Sequence, residues 1–416
     1  MRDMLGREKA VSVEDARQLL GTHLPAKELI SLRIPIEQSF GRVLSEQISS
    51  PEDLPAFSRS TVDGFAVNSS DTFGATEGMP GYLTVSREIL MGERPDFTLT
   101  RGRAAKIATG GMLPGGADAV VMLEHVQYAD KDLIEVLRPA APGENVISAG
   151  EDIRKDELIL SRGTMLRPQD VAALAGAGIT SVAVYEKPRV SIISTGDEII
   201  PAGSPAEAGK VREMNAYTLS GLILAQGGIP LRKGIVRDVY EEIRDALGEA
   251  LRESDMVLIS GGSSVGTKDM TAEIIGSFGP PGVLFHGVAL KPGKPTIGAI
   301  VGGVPVFGLP GHPAAVAVCF EVFILDVLRV LTGREGTGSS ARRTVSALLA
   351  KNVSSDGGRE EHVRVSLKEE GGELWAVPVL GKSGLIRTLV KAEGTIVIPS
   401  HVRGIEKGER VNVLLF

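Results

Sequence analysis

Five short stretches of this 416-residue chain gather hydroxyls, glycines, carboxylates and lysines, each directly after an apolar, strand-like run. Ser194-Thr195-Gly196-Asp197-Glu198 follows RVSII, Arg237-Asp238 follows GIV, and Gly261-Gly262-Ser263-Ser264-Val265-Gly266-Thr267-Lys268-Asp269 follows MVLIS. Lys291-Pro292-Gly293-Lys294-Pro295 follows HGVAL, and Pro310-Gly311-His312-Pro313 follows PVFGL. Ligands of an open α/β sheet sit beyond the carboxyl ends of its strands, so these five stretches are expected on one rim.

The chemistry they offer is anion and cation binding. Backbone N–H groups of Gly261–Gly266 can face an anion at a helix start, where the helix dipole adds positive charge. A plain strand-to-helix turn is the blander reading. The loop is not a phosphate-binding GxxxxGK[ST], because Thr267 and Lys268 follow Gly266 in the wrong order. Lys291 and Lys294 flank Pro292-Gly293. Alone they read as a solvated turn; at the same rim as the glycine loop they read as two point charges for an oxyanion. Asp197, Glu198, Asp238 and Asp269 all stand at strand ends, and carboxylates beside phosphates usually mean Mg²⁺. Helix N-capping competes with that reading, above all for Asp238 and Asp269.

Other chemistries find little support. The six histidines show no HxxxH or HExxH spacing. The single cysteine, Cys319, lies in an apolar run and reads as core. One cysteine allows no internal disulfide and no thiolate cluster, and it is compatible with a reducing cytoplasm. Formal net charge is −7, so the basic excess of a general nucleic-acid binder is absent. The opening MRDMLGREKA has no apolar signal core, and charged residues interrupt the long apolar run from Ala314 to Leu331. A cytoplasmic protein without membrane spans is expected.

The elements that must carry these loops follow from periodicity. Hydrophobic residues at 43% and charged residues at 23% fit a folded chain, and its length fits two to four domains. Residues 188–332 alternate strand and helix: RVSIIST, then MNAYTLSGLILAQGG, GIVRD, VYEEIRDALGEALRES, DMVLISGG and TAEIIGSFG. The strands GVLFHGVAL, TIGAIVGG and VPVFGLPG follow, and PAAVAVCFEVFILDVLRVL closes as one long buried helix. This is a three-layer α/β/α unit. Residues 51–144 read as a β-rich unit inserted between 1–50 and 145–187, in which Pro168 suits a helix start and Gly176 or Gly178 its end. TGREGTGSSARR reads as a linker, and 333–416 as a unit built on a small β-barrel.

Seven motifs then occur in an order that resembles one family, the molybdopterin molybdenumtransferases, called MoeA in bacteria and represented in animals by the E domain of gephyrin. They are PAFSRSTVDGFAV, IATGGMLPGGADAVVMLE, GENVISAGEDI, STGDEI, ISGGSSVGTKD, VALKPGKP and GLPGHPAA. The resemblance spans nearly the whole chain and implies the same four-part architecture. It implies a Mg²⁺-dependent transferase that takes adenylylated molybdopterin and molybdate and releases molybdenum cofactor and AMP. The pterin dithiolene supplies the sulfur ligands. The resemblance also implies a homodimer, with the cleft between the central unit of one subunit and the inserted unit of the other. Its expected partners are a pterin-adenylylating enzyme and apo-molybdoenzymes or their chaperones, with no nucleic acid and no membrane.

By the same resemblance, Gly261, Gly262, Ser263, Ser264 and Gly266 match the pterin-phosphate loop. Glu198, Asp238 and Asp269 match acidic positions, with Glu198 and Asp238 expected at the metal. Lys291 and Lys294 match the basic loop, and Pro310 and Pro313 the proline loop. Asp63 and Thr109 match residues facing across the dimer cleft; Asp152 and Ser383 match weaker sites. Glu198, Asp238 and Asp63 carry the expected catalytic roles. The chain departs from the family pattern at Ser58-Arg59, at Ile147-Ser148-Ala149, at Val239, at His312 where Asn is usual, and at Arg359-Glu360-Glu361-His362. A tungsten-preferring paralogue and a non-catalytic scaffold of the same fold are the alternatives.

Overall fold

The computed structural model describes residues 10–261, 265–334 and 343–416, with 265–269 described as backbone only. Gly262, Ser263 and Ser264 lie outside the described residues, as does most of TGREGTGSSARR.

Helix α1 (Val13–His23) starts where Ser12 Oγ accepts the Asp15 N–H at 3.0 Å. Glu14 and Asp15 complement the positive end of the helix dipole. Its Val13, Ala16 and Leu20 join the core beneath the central sheet. Three short antiparallel ladders then tie early residues to later ones. Ser31–Pro35 pairs with Ser181–Tyr185, Ile48–Ser49 with Leu158–Leu160, and Arg59–Ser60 with Val146–Ile147. Helix α2 (Pro168–Gly176) has Pro168 in its first turn, and the Asp170 carboxylate accepts the Arg167 N–H at 2.8 Å. Gly178 just beyond it takes a φ of +72°, the left-handed conformation that ends helices.

Between these ladders lies a six-stranded sheet. Its spatial order is Ala119–Met122, Gly64–Val67, Arg103–Ile107, Gly81–Ile89, Leu133–Val136, Val126–Asp130. Separate apolar clusters include Phe65, Leu83 and Ile134 in one and Ala66, Ile107 and Val120 in the other. Neighbours Phe65 and Ala66 point to opposite faces of their strand, so both faces are covered.

The central sheet also has six strands, in the order Ile229–Val236, Arg189–Thr195, Met256–Gly261, Val304–Leu309, Ile297–Val301, Pro281–His286. The first four are mutually parallel, and Ile297–Val301 runs antiparallel to both its neighbours. Helices α3 (Asn215–Ala225), α4 (Tyr240–Glu253) and α5 (Val265–Ser277) connect the strands. One core joins α1, α3 and the 313–331 helical run; a second joins α4 and α5, giving three layers.

The 313–331 run is not one regular helix. It comprises α6 (Pro313–Cys319), a π-helical turn at Phe320–Ile324, and α7 (Leu325–Leu331). Four of the five residues in the widened turn are buried. A helix covered on nearly all sides carries no apolar stripe, so periodicity does not reveal the change of pitch. The HGVAL run also divides. The central strand stops at His286, Gly287 takes a φ of +95°, and Leu290–Lys291 pairs instead with the barrel strand Glu360–Glu370.

That barrel closes through five strands, Thr344–Leu349, Glu360–Glu370, Glu373–Pro378, Gly394–Ile398 and Arg410–Leu415. Closure follows because Glu360–Glu370 pairs with both Glu373–Pro378 and Gly394–Ile398. Among the described residues no helix is long and apolar enough to cross a membrane.

Candidate anion and cation site

The parallel register places the carboxyl ends of Arg189–Thr195, Ile229–Val236, Met256–Gly261 and Val304–Leu309 on one edge. Pro281–His286 ends there too, and the Lys291–Pro295 loop leads from that edge back into Ile297–Val301. All five stretches singled out above therefore leave the same edge. Two glycines make the close approach possible. Gly261 takes a φ of +147°, and a Cβ there would lie 1.9 Å from the Thr195 carbonyl oxygen. Gly196, at +144°, leaves space that the Glu198 carboxylate uses; a Cβ would meet its Oε2 at 2.8 Å.

Three carboxylates crowd this edge. The Asp238 N–H donates to Asp197 Oδ1 at 3.3 Å. Burial, and then the charges of Asp197 and Glu198, push the Asp238 carboxyl above the usual carboxylate range. Its Oδ1 is buried without a hydrogen-bond partner. Asp238 does not cap α4: the capping position is Val239, and no side chain caps that helix. Two neighbouring cations among the described residues are engaged elsewhere. Arg237 bonds to Glu242, and Lys210 Nζ donates to the Asp197 carbonyl, not its carboxylate, at 2.7 Å. Among the described residues, no three His, Cys, Asp or Glu side chains are grouped to hold a metal unaided.

The two lysines of the basic loop have different surroundings. Lys291 pairs with Glu361 at 3.2 Å and Asp356 at 3.4 Å, both from the barrel. Lys294 is exposed and makes no ion pair among the described residues. Between them Gly293, at a φ of +131°, lets the loop lie directly on the core; a Cβ would sit 2.9 Å from Cys319 Sγ. Thr296 Oγ1 donates to the Gly293 carbonyl at 2.6 Å and lies 3.0 Å from Cys319 Sγ. Burial pushes the Cys319 thiol up to about 12, which makes it an inert core group.

The proline loop is fastened from two sides. Buried Asn215, at the start of α3, donates to Ser260 Oγ at 3.0 Å and to the Gly311 carbonyl at 2.9 Å. No motif singled Asn215 out. The available signal was a polar residue opening an apolar helix just after Glu213, whose carboxylate accepts the Asn215 and Ala216 N–H groups at 3.0 and 2.9 Å. From the barrel, Ser383 Oγ lies 2.9 Å from His312 Nδ1, and the Ala314 N–H donates to the Ser383 carbonyl at 3.2 Å. Pro310 and Pro313 are buried, with Pro313 opening α6.

Asp63 and Thr109 meet each other but not this edge. Asp63 Oδ1 accepts the Thr109 N–H at 2.8 Å and its hydroxyl at 3.1 Å, which holds the Asp63 carboxyl below the usual range. Asp152 is exposed, and its N–H donates to the Leu54 carbonyl at 3.1 Å. Gly266 and Asp269 fall in the backbone of α5.

These features define a class: a multidomain protein with a doubly wound sheet, carboxylates and two lysines on loops leaving one edge of that sheet, and a β-barrel fastened to the same edge. Three family models match in series: the MoeA N-terminal region (domains I and II) over residues 11–178, the "Probable molybdopterin binding domain" over 191–330, and the MoeA C-terminal region (domain IV) over 346–416. A Methanocaldococcus jannaschii protein named for molybdopterin biosynthesis is 37% identical over 390 residues, 92% of this chain and 91% of its own. The molybdopterin molybdenumtransferase of Bacillus subtilis is 35% identical over 386 residues, 92% of this chain and 89% of its own. The crystal structure of the molybdopterin biosynthesis MoeA protein from Pyrococcus horikoshii OT3 superposes with a TM-score of 0.84 at 35% identity, covering 98% of this chain and 100% of that one. The chain belongs to the molybdopterin molybdenumtransferase (MoeA) family.

Proposed function

We propose that this protein acts in molybdenum cofactor biosynthesis as a transferase that delivers molybdenum to molybdopterin. Its substrates are adenylylated molybdopterin and molybdate, and its products are the molybdenum cofactor and AMP. The observation that carries the reading is the Asp238 carboxylate: an unpartnered, buried oxygen beside two further carboxylates, with no helix to cap. Such an oxygen calls for a cation, and Mg²⁺ commonly binds through one or two protein carboxylates plus substrate phosphates. Glu198 and Asp238 would hold it, and its chemistry there would be to offset diphosphate charge. That donor set is incomplete without substrate oxygens, in keeping with the absence of a self-sufficient metal cluster among the described residues.

The remaining roles follow from charge. Molybdate and a diphosphate repel each other, so holding them adjacent needs donors fixed in advance. Lys294, with no counter-ion among the described residues, is a cation available to an incoming oxyanion. Lys291 offers only what Glu361 and Asp356 leave over. Ser383, brought to the edge by His312, supplies a hydroxyl. The active unit is a homodimer in which Asp63 and Thr109 of a second copy face this edge; among the described residues of one chain they bond to each other and to Leu123 of their own unit. The site of action is the cytoplasm, where a lone thiol stays reduced. A pterin-adenylylating enzyme supplies the substrate, and apo-molybdoenzymes or their chaperones receive the product.

AMP release from adenylylated molybdopterin, followed with molybdate and tungstate in parallel, tests the reading. Glu198→Gln is expected to lower the rate about 100-fold, the scale of losing one preorganised electrostatic contact. Undiminished release by that variant removes Glu198 from the reaction.

A further inference from the structure

We propose that His312 is a positioning residue that sets the hydrogen-bond polarity of the Ser383 hydroxyl, and so makes oxyanion capture at this edge pH-dependent. The inference rests on the reading above and concerns the His that this chain carries in its Pro310–Pro313 loop.

The geometry is a single contact at a junction. The ring of His312 is exposed, and its Nδ1 lies 2.9 Å from Ser383 Oγ. The position of a Cβ on Gly384 would lie 3.6 Å from the ring, so the barrel loop packs closely against the imidazole. The Ala314 N–H to Ser383 carbonyl bond fixes the backbone of that loop. Ser383 therefore stays beside the ring whichever atom carries the hydrogen.

The direction of that hydrogen bond depends on charge. A neutral imidazole with a bare Nδ1 accepts the serine O–H, which commits the hydroxyl hydrogen to the ring. An imidazolium donates from Nδ1, so the serine oxygen accepts and its O–H turns outward to donate to an anion. Protonation also adds a positive charge close to where the anion would bind. Both changes favour a tetrahedral dianion, and imidazoles as a class titrate between about pH 5 and 8. An Asn at this position has no such switch.

The charged groups on elements meeting His312 are few. The barrel segment carries Lys382 and Arg387; Glu213, just before α3, is committed to the Asn215 and Ala216 N–H groups. The adjacent loop carries Lys291 and Lys294. Among the described residues none of these bonds to the ring, and Ser383 is its side-chain partner.

The ligand is a tetrahedral oxyanion, which could arrive as free molybdate or as the phosphate of the nucleotide. Calorimetric titrations of the full-length protein with molybdate and, separately, with AMP, between about pH 6 and 8, test the proposal. Molybdate affinity is expected to rise about tenfold as the pH falls across that range, the scale of one charge-assisted hydrogen bond. H312N is expected to bind with little pH dependence and near the wild-type affinity at the upper end. S383A is expected to lose most of the pH response while keeping the imidazole. A response seen with AMP and not molybdate assigns the hydroxyl to the nucleotide phosphate and supports the switch. An H312N variant with the wild-type pH response overturns this inference and leaves the proposed function standing. Failure of the wild-type protein to bind either anion at any pH overturns both.

Discussion

Asp238→Asn is expected to make the protein more stable and much less active. The wild-type carboxyl has its pKa raised, so the sign of its pH dependence is set. Its contribution to stability is fully present below the ordinary aspartate value of about 4 and is lost as the pH rises through the raised value. At neutral pH the fold carries an ionised group with a buried, unpartnered Oδ1 next to Asp197 and Glu198. An unsatisfied buried polar atom costs about 1–3 kcal/mol; Asp238 as a whole is only half-buried, so screening places the gain at the lower end, about 1 kcal/mol. The amide removes the charge and can donate to either neighbouring carboxylate. For a unit the size of the central domain, about 1 kcal/mol moves the melting temperature by about 2–4 °C. Scanning calorimetry of both proteins at about pH 7.5 and low salt should show the variant melting higher, and the gap should narrow at about 1 M salt, where the Debye length is only about 3 Å. The gap should also close as the pH falls through the raised value and the wild-type group takes up its proton. AMP release by the variant should fall about 100-fold. A variant that melts lower at neutral pH while keeping a native circular-dichroism spectrum would refute the electrostatic argument.

Gly261→Ala is expected to destabilise the central sheet by more than about 3 kcal/mol in urea titrations, because its Cβ would sit 1.9 Å from the Thr195 carbonyl at a φ of +147°. Gly203→Ala, where nothing lies within 4 Å, is the control and should change stability by less than about 0.5 kcal/mol. Cys319 should resist iodoacetamide at about pH 8 in the folded protein and react once urea exposes it, because its buried thiol has been pushed up to about 12. Equal labelling rates in the two states would show that the loop above it does not stay closed.

The central sheet was legible because most of its strands are short apolar runs ended by Gly or Pro, and its helices carry enough periodicity to be read between them; of Ile229–Val236 only the GIV end was legible, because Arg232 and Lys233 interrupt the strand. The shared edge was legible for the same reason, since parallel strands leave no choice about where their following loops emerge. Lys291 shows where this reasoning stops. Its charge and its place just before Pro292 are local facts, but its counter-ion Glu361 belongs to another sheet, and nothing in the spacing brings the two together. The same limit hid Asn215, whose two bonds reach Ser260 and Gly311 on neighbouring strand ends. Competition between capping and ligand binding at Asp238 was also undecidable from local sequence. Both need a carboxylate just before a helix, and only the fold shows Val239 taking the capping position.

The barrel is fastened to the carboxyl edge of the central sheet and is not an appendage to it. It is fastened by the Leu290–Lys291 ladder to Glu360–Glu361, by the Lys291–Glu361 ion pair, and by Ser383 against His312 and Ala314. Each fastening lands on a loop that leaves the carboxyl edge of the central sheet. A rotation of the barrel would therefore change two things together: the charge left on Lys291 and the position of the Ser383 hydroxyl. Breaking the Lys291–Glu361 pair alone would strand Glu361, whose Oε2 already lacks a hydrogen-bond partner. That penalty opposes rotation, whereas a dianion arriving beside Lys291 would compete with Glu361 for the same ammonium. The orientation of the barrel and the charge state of the edge are thus linked through one lysine, and an anion bound there would alter both.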